Sequence, residues 1–134
     1  MFIDFEELPK TARVWVYQAD RNLTTPEVIN LTEKIQNFIA QWQAHQQALK
    51  GSVKIAHQRF IVIAVDEAFH TPSGCSIDAS VHFLQALEKE FQVNLFDRSL
   101  AYLQGNQIQT LSIPQIKKPW RREKYKMILG YLII

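Results

Sequence analysis

Residues 60–65 read Phe-Ile-Val-Ile-Ala-Val, six apolar positions with no polar interruption. The run is short for a helix and rich in β-branched side chains. It gives neither face to water, so it reads as a central strand covered on both faces. Immediately before it, "SVKIA" is also β-prone, and the polar break at His57, Gln58 and Arg59 splits the stretch into two strands joined by a tight turn. A buried central strand needs a neighbour on each edge and helices to cover it. The rest of the chain is therefore read for elements that meet those needs.

"ARVWVYQAD" alternates β-branched and aromatic residues around Val14, Trp15, Val16 and Tyr17 and reads as a strand. Next, "TTPEVINLTEKIQNFIAQWQAH" places Thr25 as N-cap, Pro26 at the first helical position and Glu27 in the first turn. Val28, Leu31, Ile35, Phe38 and Trp42 recur at three and four, predicting a long amphipathic helix that runs toward Gly51. "SIDASVHFLQALEKEF" predicts a second helix with Ser76 as N-cap and Ile77, Val81, Leu84, Leu87 and Phe91 on one stripe. "SLAYLQGNQIQTLSI" predicts two strands around a Gly105-Asn106 turn. The order strand, helix, strand, strand, helix, strand, plus one further strand, suggests an α+β two-layer sandwich. In it two helices lie on one face of a mostly antiparallel sheet, as a ferredoxin-like βαββαβ unit with an extra strand.

A chain of 134 residues suits one core. The expected organisation is a single α+β domain over residues 1–116, followed by an atypical tail over 117–134. The net charge of +2 is small, and the basic cluster "KKPWRREKYK" at 117–126 lies in that tail, so nucleic acid is not an expected partner. No run has the length of a membrane span, and the start "MFIDFEELPK" lacks the pattern of a secretory signal. A single cysteine forms no internal disulfide, which fits a cytoplasmic setting.

That cysteine, Cys75, lies in "HTPSGCSIDAS", where a strand gives way to a helix. Its sulfur there can sit near free N–H groups and the positive end of a helix dipole, which favour the thiolate needed for nucleophilic or redox chemistry. The plainer reading is a small residue filling space. Without the sulfur, Ser73, Gly74 and Ser76 at the same turn offer donors to a carboxylate or phosphate, although Asp78 opposes an anion and the serines can simply cap the helix. Arg98, after "LFD", is a candidate to clamp the same anion.

The four histidines, His45, His57, His70 and His82, fall on separate elements without metal-ligand spacing, so neither a metal nor another cofactor is expected. Asp66 and Glu67 are adjacent at a strand end and point to opposite faces, which argues against a carboxylate pair. Arg59 reads as a solvated turn residue. Trp15, Tyr17, Phe38 and Trp42 read as core. The expected partners are a small anionic ligand at the 72–78 turn and a protein or second copy at the sheet edge.

The stretches "RVWVYQADR", "FIAQWQAH", "RFIVIAVDE", "SGCSIDASVHFLQALEKEF" and "LFDR" together resemble a family of small Bacteroidetes proteins often labelled ABC transporter ATPases. The likeness spans about residues 10–116, with "SGCSID" its most specific part, and implies no established activity. The ATPase label lacks its chemistry here: Gly51, Gly74, Gly105 and Gly130 do not form the G-x-x-x-x-G-K-[ST] loop that cradles phosphates. The family ending resembles "DTxVFNN", whereas this chain ends "KKPWRREKYKMILGYLII". One codon choice for Trp120–Ile134, read two bases later, encodes "EKGKIQDDTWVFNN", so the tail reads as out of frame. The alternative is a genuine last strand. The expected role is that of a small binding or accessory protein, with a thiol-dependent enzyme or redox sensor as the alternative.

Overall fold

The structure, a computed structural model, describes residues 1–111, so the atypical 117–134 tail lies outside the described residues. The chain divides into two compact units that meet in sequence at Phe96 and Asp97. The first contains strand β1 (Arg13–Gln18), helix α1 (Thr25–Ala40), the two-residue strands β2 (Gln43–Ala44) and β3 (Gln47–Ala48), strands β4 (Gly51–Ala56) and β5 (Phe60–Val65), and helix α2 (Gly74–Phe91). The second contributes the hairpin β6 (Leu100–Gln104) and β7 (Gln107–Leu111). The class is α+β with antiparallel sheets, as the element order predicts.

Strand β5 is central, with β1 and β4 antiparallel on either side. The registers Trp15 to Ile63 to Val53 and Val16 to Val62 to Lys54 separate the two faces, because directly opposed residues share a face. The odd-numbered face carries Trp15, Tyr17, Ile61, Ile63, Val65 and Val53, which pack with Leu31, Ile35 and Ile39 of α1 and Leu84 and Leu87 of α2. Both helices thus cover one face. Ile61, Leu31, Ile35, Ile39 and Leu84 are fully buried. Each such side chain contributes on the order of 1.5–3 kcal/mol.

The other face departs from the expected two-sided cover. Ala64 and Ser52 are buried, and the 3-10 turn at Phe5–Glu7 forms a cleft with Val14 and Ala64. Farther along, Phe60 and Val62 are half-buried, and Val14 and Val16 are 51% and 60% exposed. The strand run therefore has one helix-covered face and one thinly covered face. The two strands expected after α2 form, but among the described residues β6 and β7 pair with each other in a two-stranded sheet rather than with β1, β5 or β4, and ahead of them Phe96 makes an isolated parallel bridge to Gln18.

Helix α1 ends at Ala40 rather than near Gly51. Trp42 keeps the apolar period and is buried, but His45 and Gln46 adopt φ of 52° and 67°, a left-handed pair that joins β2 to β3. No Gly or Pro marks this stop. The cap also shifts by one residue. Thr24 accepts from the Glu27 N–H while the Thr24 N–H donates to Glu27 Oε1, a reciprocal capping box.

At the β4–β5 turn, His57 and Gln58 have φ of 54° and 55°, a left-handed pair closed by the Arg59 N–H donating to Ala56 O at 3.0 Å, and Ala56 then pairs with Phe60 across the three turn residues. Arg59 is not solvated: it is 6% exposed, donates Nε to Ala19 O at 3.0 Å and Nη1 to Asn22 Oδ1 at 3.1 Å. The cause is main-chain docking of this turn on the β1–α1 loop, where Ala19 and Leu23 N–H donate to Arg59 O and Gln58 O.

Arg21 donates from both Nη atoms to the Glu27 carboxylate at 2.9 and 2.8 Å, and from Nη2 to Phe91 O at 3.1 Å, linking the ends of α1 and α2. The Arg21 bond, then the Thr24 N–H bond, hold the Glu27 carboxyl down at about 2. A depressed carboxyl contributes stability that is present above its unfolded value of 4.5 and is lost as pH falls through about 2. Glu27→Gln should therefore cost about 1–2 kcal/mol near neutral pH. Urea unfolding from pH 7 to pH 2 should show the gap to the parent protein closing below pH 4.5.

Candidate functional site

Ser73, Gly74, Cys75 and Ser76 meet at the first turn of α2, but the cap is Ser73 rather than Ser76. Ser73 Oγ accepts from the Ser76 N–H at 3.1 Å, and Ser76 Oγ accepts from the Ser73 N–H at 2.8 Å. Ser76 Oγ also donates to Ser73 O at 2.7 Å. Both hydroxyls are thereby engaged, and Ser76 is buried. The turn is anchored from the other side by Trp42, whose Nε1 donates to Ser76 O at 2.8 Å.

This shift moves Cys75 inside the helix, to the second helical position, with its side chain exposed. It also defines which donors are left. Ile77 N–H bonds Ser73 O and Ser76 N–H bonds the cap, whereas Gly74 and Cys75 N–H are given no acceptor by any described residue. Those are the first two N–H groups of a helix of 18 residues, where backbone dipoles leave a partial positive charge. A Cβ built on Gly74 would meet nothing within 4 Å, and Gly74 and Cys75 are both exposed. Asp78 is exposed one turn later and adds a negative charge to the same helix start.

His70, the histidine nearest Cys75 in sequence, places Nε2 2.8 Å from Ala44 O, so this nitrogen donates to that carbonyl. Arg98 belongs to the second unit and is exposed beside a turn in which Asp97 Oδ1 accepts from Ser99 N–H and Oγ at 3.0 and 2.8 Å. The α2 turn is built from the first unit alone. Asp66 Oδ1 accepts from the Ala68 N–H, and Glu67 lies 4.0 Å from Arg13, so each carboxylate has its own local task. Among the described residues, no cluster of three His, Cys, Asp or Glu side chains is arranged to hold a metal ion. No helix among them is long and apolar enough to cross a membrane.

The sequence places the start of α2 three residues late, with Ser76 rather than Ser73 as its cap. Two serines three apart fit a cap at either position, and only the reciprocal Ser73–Ser76 bonds decide between them. Ser73→Ala should cost about 1 kcal/mol, seen as a lower urea midpoint with unchanged slope. Against family models, curated proteins and solved structures alike, this chain has no match.

Proposed function

We propose that this is a small binding or accessory protein that receives the carboxylate or phosphate of a small ligand at the first turn of α2. The observation that carries the reading is the pair of N–H groups of Gly74 and Cys75, two exposed residues, to which no described residue gives an acceptor. Helix starts of this kind hold anions by direct N–H donation reinforced by the dipole. The serine hydroxyls keep the turn rigid and make no contact with the ligand. Kinship with the "SGCSID" family is proposed on its motif alone and adds no ATPase chemistry, since the phosphate loop is missing.

A second reading rests on the exposure of Cys75 at the same donors: a thiol open to oxidants or electrophiles, acting as a sensor. The two readings separate on one pair of variants. Titration with inorganic phosphate or acetate, followed by amide chemical shifts, should move Gly74 and Cys75 N–H together and saturate. Asp78→Asn should tighten binding about two- to threefold by removing a like charge near the helix start. Cys75→Ala should leave anion binding unchanged. Unmoved Gly74 and Cys75 amides would overturn the anion reading, and a folded protein whose Cys75 resists alkylation would overturn the thiol reading.

A further inference from the structure

The open edge of the sheet carries an inference independent of the α2 turn. Strand β4 has its outer edge engaged at Gly51, which bridges Phe2, donates its N–H to Met1 O and accepts from the Ile3 N–H. Strand β1 forms the opposite edge. Ala19, opposite Arg59 in the continued register, donates toward β5 at 2.8 Å, so odd-numbered residues of β1 direct their main-chain groups inward and even-numbered ones direct theirs outward. The outer contacts agree with this parity: Gln18 bridges Phe96, and Asp20 N–H donates to Asn94 O. No described residue pairs with the outward N–H and C=O groups of Val14 and Val16. Both residues are exposed, at 51% and 60%.

We propose that this edge pairs with a second copy of the chain, β1 against β1 in antiparallel order, centred on Trp15. In that register Val14 stands opposite the partner's Val16 and Val16 opposite the partner's Val14. Residues with outward main-chain groups then face each other, so four N–H···O bonds close the seam without using Gln18. The four exposed valines meet in cross-strand pairs on the thinly covered face.

The self-complementary placing of Val14 and Val16 about Trp15 favours a second copy as the occupant, and charge does not oppose it. Arg13 is the only charged residue of β1, and the register sets it opposite the partner's Tyr17 rather than against its own copy. The strand also lacks the lysine, proline or bulge by which edges are kept from pairing. A seam of four main-chain bonds and four valines falls in the class of small, transient contacts, so the dimer is weak and depends on concentration.

Sedimentation velocity on the full chain, from about 10 µM to 1 mM, a range suited to contacts of that size, should show the sedimentation coefficient rising with concentration. Val16→Lys, at an exposed position, should weaken association about tenfold or more while leaving the thermal midpoint in place. The register is tested in a Cys75→Ser background. Mixed Val14→Cys and Val16→Cys proteins should cross-link under mild oxidation far better than either alone. A parent protein that stays monomeric throughout, an undiminished dimer in Val16→Lys, or no preference for the mixed cross-link would each overturn the proposal. So would slow amide exchange at Val14 and Val16 in dilute monomer, which would place another part of the same chain on this edge.

Discussion

Ile61, Ile63 and Val65 of the central strand must be hidden from water, and nearly every other element of the first unit answers that requirement. Their face meets Leu31, Ile35 and Ile39 of one helix and Leu84 and Leu87 of the other. Trp15 and Val53, flanking Ile63 in register, close the layer at the sides. Since each buried aliphatic side chain is worth on the order of 1.5–3 kcal/mol, this single layer carries most of the hydrophobic stabilisation available to so small a unit. The helices need not be stable alone, because their apolar stripes become favourable only against this face.

Polar contacts then fix how the layer is closed at its ends. Arg59 ties the β4–β5 turn to Ala19 and Asn22, while Arg21 ties the start of α1 to the end of α2 through Glu27 and Phe91. Trp42 spans the third corner by donating to Ser76 O. Arg59 and Trp42 use donors that burial would otherwise leave costly, whereas Arg21 is partly exposed and acts as an ion pair. The same Trp42 bond holds the first turn of α2 still, which is why Gly74 and Cys75 present their N–H groups in a fixed direction. Fold and candidate site share this corner.

Among the described residues, the start of α2 and the outer edge of β1 have different chemistry. The start of α2 offers two directional donors and a thiol, suited to a small charged group. The outer edge of β1 offers main-chain pairs flanked by valines, suited to another strand. Neither surface depends on the other, since the first is set by the cap and the second by sheet parity.

Much of this was legible in the residues. The six apolar positions at 60–65 specified a strand, the polar break at His57–Arg59 specified its hairpin, and spacing at three and four specified two helices. These readings succeed because local periodicity reports burial directly. Cap position, the end of α1 and the burial of Arg59 were not legible. Thr24 and Thr25, or Ser73 and Ser76, are equivalent as isolated cap formers, and His45 and Gln46 carry no residue type that demands a left-handed turn. Arg59 looks solvated until the β1–α1 loop is folded over it. The same limit applies to the sheet: an unbroken apolar strand states that it is buried, not on how many sides. The sequence by itself determined the two helices, the strands β1, β4 and β5, the β6–β7 hairpin and the α+β class. Only the tertiary structure decided which donors are spent inside the molecule and which valines face out, because partners distant in the chain make those choices.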